Sequence, residues 1–122
     1  MFLRKRFFLY TFLKLLQEAL KLPKYELYEE GSQLRKSTKG VCSCIVEGYG
    51  RRKYKNDFIR FLTYAQASCD ETGVHLDFIY ASGHISDQVY QEMKQENDKL
   101  GKKINKFTQY VEEHWKDGKD EG

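Results

Sequence analysis

The stretch Val46-Glu47-Gly48-Tyr49-Gly50-Arg51-Arg52, with Phe58-Ile59-Arg60-Phe61-Leu62 shortly after it, decides the fold. Apolar residues at helical spacing stop at Val46, two glycines and a run of cations follow, and a second strongly apolar helix then begins. Glycine just past a helix end supplies a left-handed backbone turn at no Cβ cost. The stretch therefore predicts a corner between two helices, with Arg51, Arg52, Lys53 and Lys55 on a solvated loop.

On either side of the corner the apolar residues keep steps of three and four, the mark of helices that each bury one face. A first helix is predicted over residues 2–21 from Leu9, Phe12, Leu13, Leu16, Ala19 and Leu20, and Pro23 ends it by forcing its predecessor out of helical geometry. A second, over 25–47, carries Leu27, Leu34, Thr38, Val41 and Ile45 on one side. Gly31 and Gly40 weaken it by about 1 kcal/mol each relative to alanine. A third, over 55–82, presents Phe58, Phe61, Leu62, Ala65, Cys69, Thr72, Leu76 and Ile79, and Gly83 closes it. The fourth, over 87–115, has the cleanest pattern: Tyr90, Met93, Asn97, Leu100, Ile104, Phe107 and Val111 form an unbroken a/d seam. Ser86 is its predicted N-cap, with Ile85 and Tyr90 as a hydrophobic staple. The fold class expected is all-α: an up-down-up-down four-helix bundle over 1–115, with a flexible polar tail over 116–122.

Length, composition and charge bound the function. The chain has 122 residues, enough for one domain with one core, and a single proline, as long helices require. Residues 1–66 hold 14 Lys/Arg against 6 Asp/Glu, while 67–122 hold 7 against 12. A basic half of this kind favours polyanions or an acidic protein surface, or pairs its charges from subunit to subunit. The three cysteines, Cys42, Cys44 and Cys69, lack disulfide spacing, which points to reduced thiols and a cytoplasmic protein. They form no zinc motif with His75, His84 and His114, so no metal and no cofactor is expected. The basic, apolar N-terminus is interrupted by Lys14 and Glu18, has no small-residue cleavage site and is too short and charged to span a membrane.

Several residues, taken in order, resemble a known family. They are Leu22-Pro23, Glu26, Tyr28, Gln33-Leu34-Arg35, Ile45, Glu47-Gly48, Gly50-Arg51-Arg52, Phe58-Ile59-Arg60-Phe61-Leu62, Ala65, Ser68, Glu71, Gly83, Ser86 and Tyr90. The pattern is similar to the bacterial four-helix-bundle proteins encoded by intervening sequences in large-subunit (23S) ribosomal RNA genes, and it runs from about residue 22 to residue 93 without a gap. The chain departs from the pattern at Glu30, Gly40, Cys44 and Gly73, where relatives carry leucine, serine, asparagine and a helix-favouring residue. The resemblance implies a bundle without established enzymatic activity and assembly as a homopentamer. A related branch consists of retroelement accessory proteins that bind nucleic acid and a reverse transcriptase, which implies RNA or DNA and a reverse-transcriptase-like or other protein as partners.

The residues themselves favour binding over catalysis. Glu47 and Glu71 are expected to be half-buried in structural ion pairs with an arginine such as Arg35 or Arg60, and no Glu-x-x-His spacing offers a di-metal site. Ser37, Ser43 and Ser68 lie on helices without a nucleophile elbow. The candidate nucleic-acid-binding residues are Arg51, Arg52, Lys53 and Lys55 on the corner, with Arg35, Lys36, Lys39 and Arg60 on the flanking helices. Tyr49 and Tyr54, interleaved with the corner cations, would offer rings for stacking. The function expected is a non-enzymatic, oligomeric accessory factor that binds nucleic acid; the alternative is a homo-oligomeric scaffold for a protein partner. Phe2, Phe7, Phe8, Tyr10 and Leu15, which fall off the main stripe of the first helix, are expected to meet a neighbouring subunit.

Overall fold

A computed structural model describes residues 29–118, together with Gln17 and residues 21–24. These residues form three α-helices and no strand: α1, Glu30–Gly50; α2, Lys55–Ala81; and α3, Asp87–His114. The all-α class holds. The fourth helix of the expected bundle, over residues 2–21, lies outside the described residues, as do Phe2, Phe7, Phe8, Tyr10 and Leu15, so three helices and not four stand for the expected bundle.

α2 is the central element and packs against both α1 and α3. Its predicted stripe is its buried face: Phe58, Leu62, Ala65, Cys69, Thr72, Leu76 and Ile79 are all buried, and only Phe61 is left half-buried. The seam of α3 is equally faithful, with Met93, Asn97, Leu100, Ile104, Phe107 and Val111 buried. The core forms three layers along the axis. Leu22, Leu34, Leu76, Ile79 and Met93 fill one end. Val41, Ile45, Ala65, Cys69, Leu100 and Ile104 fill the middle. Phe58, Leu62, Phe107 and Val111 fill the other end, beneath the α1–α2 corner.

Asn97, the one polar residue in the α3 seam, fixes the register of α3 on α2. Its side-chain amide donates to the Cys69 carbonyl at 2.9 Å, inside the core. Leaving such a buried donor unmet would cost about 1–3 kcal/mol, so sliding α3 along α2 is penalised. Gly73 makes room for it: a Cβ there would stand 3.3 Å from the Asn97 amide nitrogen. That close approach explains why a residue unfavourable to helices stands in mid-helix. Burial pushes the Cys69 thiol up to about 12, with Asp70 and Asp98 adding to the shift, so it stays neutral and unreactive.

The α2–α3 corner follows the sequence closely. Gly83 has φ +77°, its N–H donates to the Tyr80 carbonyl at 2.9 Å, and the His84 N–H donates to the Ile79 carbonyl at 3.2 Å. This is a Schellman motif, which satisfies two orphan carbonyls at the end of α2. Ser86 caps α3 by accepting from the Val89 N–H at 3.1 Å, and Ile85 and Tyr90 pack on the adjoining core layer.

The α1–α2 corner is built differently from the expectation. α1 runs through both glycines to Gly50, and Gly83 is the positive-φ glycine among the described residues. Gly48 is a contact residue: a Cβ there would lie 2.9 Å from Phe61 Cβ and 3.5 Å from the Phe58 carbonyl oxygen. The missing side chain lets the last turn of α1 rest on the first turns of α2. The turn falls on Arg51–Tyr54 instead, closed by the Tyr54 N–H donating to the Arg51 carbonyl at 2.9 Å.

Candidate nucleic-acid interface

Because α1 continues to Gly50, the corner is shorter and more crowded with cations than the sequence implied. Its four predicted cations divide into two kinds. Arg51 is held by carboxylates, at 3.1 Å from Glu47 and 3.7 Å from Asp57. Lys55 donates from Nζ to the Glu112 carbonyl at 2.8 Å, which ties the start of α2 to the last turn of α3. A cation there also complements the negative end of the α3 dipole. Both side chains are therefore committed to the fold.

Arg52 and Lys53 are not committed in that way. Among the described residues neither forms an ion pair with a carboxylate, and both are exposed. The Arg52 guanidinium lies 4.0 Å from the centroid of the Tyr49 ring and donates to the Tyr49 carbonyl at 2.8 Å, so it is fixed in place with its charge unneutralised. Lys53 Nζ lies 6.0 Å from the Tyr54 ring. Tyr49, offered by the sequence as a stacking platform, is half-buried, edge-on to Phe58 and covered by Arg52; Tyr54 is the exposed ring.

The other predicted site residues do not converge with these two. Arg60 sits one turn into α2, pairs with Asp57 at 3.4 Å and, like Arg51, places its guanidinium against the Phe61 ring, at 5.3 Å against 5.2 Å. Arg35 is half-buried, Lys36 and Lys39 are exposed, and all three lie in the first half of α1. At 1.5 Å per residue they stand about 18–24 Å along the helix from Arg51. Glu47 and Glu71, expected to be half-buried, are exposed. Glu47 takes Arg51, and Glu71 lies 3.4 Å from His75, whose other ring nitrogen is 2.8 Å from Glu30; neither carboxylate pairs with Arg35 or Arg60.

What the sequence did not offer is the return of the chain after α3. The Trp115 indole N–H donates to the Arg52 carbonyl at 2.7 Å, and the Gly118 N–H donates to the Lys53 carbonyl at 2.6 Å. The indole also packs edge-on against Phe58, with centroids 5.1 Å apart. Residues 116–118 of the expected tail are thus attached to the corner, and 119–122 lie outside the described residues. Arg52, Lys53, His114, Trp115, Lys116 and Gly118 line an open cavity of about 550 Å³. The one sequence signal that pointed this way was Trp115, a large ring placed beyond the last seam residue, Val111.

Comparison with known proteins bears on this geometry, since the corner lies within the residues that match. Residues 10–106 match the family described as 23S rRNA-intervening sequence protein. The chain belongs to that family. The matched span takes in α1, α2 and most of α3, while Trp115 and its neighbours lie beyond it. No curated protein matches the chain. Among the described residues, no helix of this 23S rRNA-intervening sequence protein is long and apolar enough to cross a membrane.

Proposed function

We infer that this member of the family is a non-enzymatic accessory protein that binds nucleic acid through the α1–α2 corner. The observation that carries the reading is the division of the corner cations. Arg51 and Lys55 are committed to the fold, whereas Arg52 and Lys53 are held at the surface by a ring, a carbonyl and the returning chain, with no ion pair to a carboxylate among the described residues. Cations fixed in this way meet a phosphate backbone with little ordering cost and gain from releasing its counterions. The described groups at the corner itself, cations and aromatic rings, suit binding. The free thiols of Cys42, Cys44 and Cys69 suit a reducing compartment, and we place the protein in the cytoplasm.

The same reading includes assembly. The chains assemble as a homopentamer, so that a weak corner is repeated around a ring and gains by avidity. One observation favours the alternative, a homo-oligomeric scaffold for a protein such as a reverse transcriptase. The outer side of α2 exposes Tyr64, Val74 and Phe78 at helical spacing, Phe78 at 54%, and α1 exposes Val46 at 72%. Binding of RNA and DNA measured across a salt series separates the two readings. A nucleic-acid-binding corner gives affinity that falls steeply with salt and weakens in Arg52→Glu/Lys53→Glu, whereas a scaffold shows no binding even at low salt.

A further inference from the structure

We propose that the segment after α3 is the second half of the binding site, and that with the corner it forms a pocket for one nucleotide of a single-stranded nucleic acid. The proposal rests on the nucleic-acid reading of the corner and goes beyond it in naming both the strandedness and the C-terminal residues that take part.

Two parts of the chain distant in sequence meet at the cavity: the turn after α1, and the end of α3 with the segment that follows it. Among the described residues, the lining side chains able to carry charge are all basic: Arg52, Lys53, His114 and Lys116. Glu113 lies 3.6 Å from His114, and Asp117 stands between Lys116 and Gly118 in the same segment. Trp115, the one tryptophan of the chain, lines the cavity with these basic side chains. Cations beside an aromatic side chain are the chemistry that receives a phosphate and its base together.

The pocket is fixed in shape by more than charge. Trp115 is clamped between the Arg52 carbonyl, which accepts its N–H, and the Phe58 ring in the core. Gly118 lies so close to Lys53 that a Cβ would stand 2.7 Å from the Lys53 carbonyl oxygen, so glycine is needed for the segment to lie down on the corner. The site is therefore preformed, and a nucleotide entering it has little to order. At about 550 Å³ the cavity has room for a phosphate with its sugar and base. A duplex keeps its bases stacked inside the helix and can offer only its phosphates to such a site, whereas a single strand can turn a base onto the indole.

The test uses the full-length chain and Trp115 as its own reporter. A labelled single-stranded oligouridine and a duplex with the same number of phosphates are titrated at low salt, with anisotropy and tryptophan emission read together. The expected result is that the single strand binds about tenfold or more tighter than the duplex, within the range that stacking one base provides. Its binding should quench Trp115 in step with the anisotropy. Lys116→Glu, at an exposed position, should weaken single-strand binding severalfold, and Gly118→Val should do the same by lifting the segment from the corner. Unchanged Trp115 emission, with both variants binding as the parent does, would overturn the proposal. In that case a loss of binding in Arg52→Glu/Lys53→Glu would show that the corner reading survives without it. Duplex binding as tight as single-strand binding would also overturn it. If neither nucleic acid binds, the corner reading and the pocket fall together.

Discussion

The corner between α2 and α3 and the corner between α1 and α2 both carry glycine, and they use it for opposite reasons. Gly83 takes φ +77° with nothing within 4 Å of a would-be Cβ, so it is there for its backbone. Gly48 is helical and has Phe61 2.9 Å from its would-be Cβ, so it is there for its lack of a side chain. Their surroundings differ in the same sense. The α2–α3 corner satisfies itself, with a Schellman turn and a serine cap. The α1–α2 corner is held from outside, by Lys55 reaching α3 and by the chain returning through Trp115 and Gly118. A corner that closes on itself is complete, whereas one held by distant segments brings side chains from several elements to one surface, which is how a binding site is assembled.

The sharpest way to break this comparison is to remove what supports the α1–α2 corner from beneath. Phe58 is 0% exposed and touches the rings of Tyr49, Phe107 and Trp115. Phe58→Ala should cost roughly 3–5 kcal/mol. It should also loosen the returning segment, seen as a red-shifted Trp115 emission in urea-unfolding series before the main transition. A cost under 1 kcal/mol would mean that the corner does not depend on the core layer below it.

Gly48 and Gly83 offer a cleaner contrast. Gly48→Ala should lose about 1–3 kcal/mol by forcing α1 and α2 apart, despite the better helix propensity of alanine. Gly83→Asn should be nearly neutral, because asparagine tolerates the left-handed region, while Gly83→Val should lose at least about 1–2 kcal/mol. Thermal melts of the variants decide the matter, and equal losses for Gly48→Ala and Gly83→Asn would erase the distinction.

These two glycines also mark where the sequence could be read and where it could not. The seam of α3, the buried face of α2, the Ser86 cap and the Gly83 turn were legible because each is a local pattern with one physical meaning. Gly48 was not: a glycine near the end of an apolar stripe fits both a turn and a close contact, and only the position of Phe61 on another helix distinguishes them. The candidate site divided in the same way. That the corner is basic was legible in Arg51, Arg52, Lys53 and Lys55, but which of them are neutralised depends on Asp57 and on the Glu112 carbonyl, set by the packing of α2 and α3. Arg35, Lys36 and Lys39 entered the candidate set by charge alone, and helix length separates them from the corner. The contribution of residues 116–118 could not be read because a polar stretch after the last helix looks like a free end.

A smaller effect sharpens the division among the cations. Lys55→Met should lower stability by about 0.5–1.5 kcal/mol, the net value of one hydrogen bond, aided here by the end of the α3 dipole. Lys53→Met should leave stability within the error of the melt, since solvated charges contribute little. Equal losses in the two variants would show that the structural and the free cations have been wrongly separated.

The most direct test of the central claim, that Arg52 and Lys53 are the free cations of a nucleic-acid-binding corner, is the salt dependence of single-strand binding in the parent chain and in Arg52→Glu/Lys53→Glu. Each phosphate neutralised contributes about 0.7 to the slope of log affinity against log salt for a single strand, so losing two contacts should flatten the slope by about 1.4 and weaken binding at every salt concentration. Arg51→Gln, whose guanidinium is already paired, should leave the slope unchanged. A parent chain that binds with the same slope and affinity as the double variant, or that binds nothing at low salt, would contradict the account.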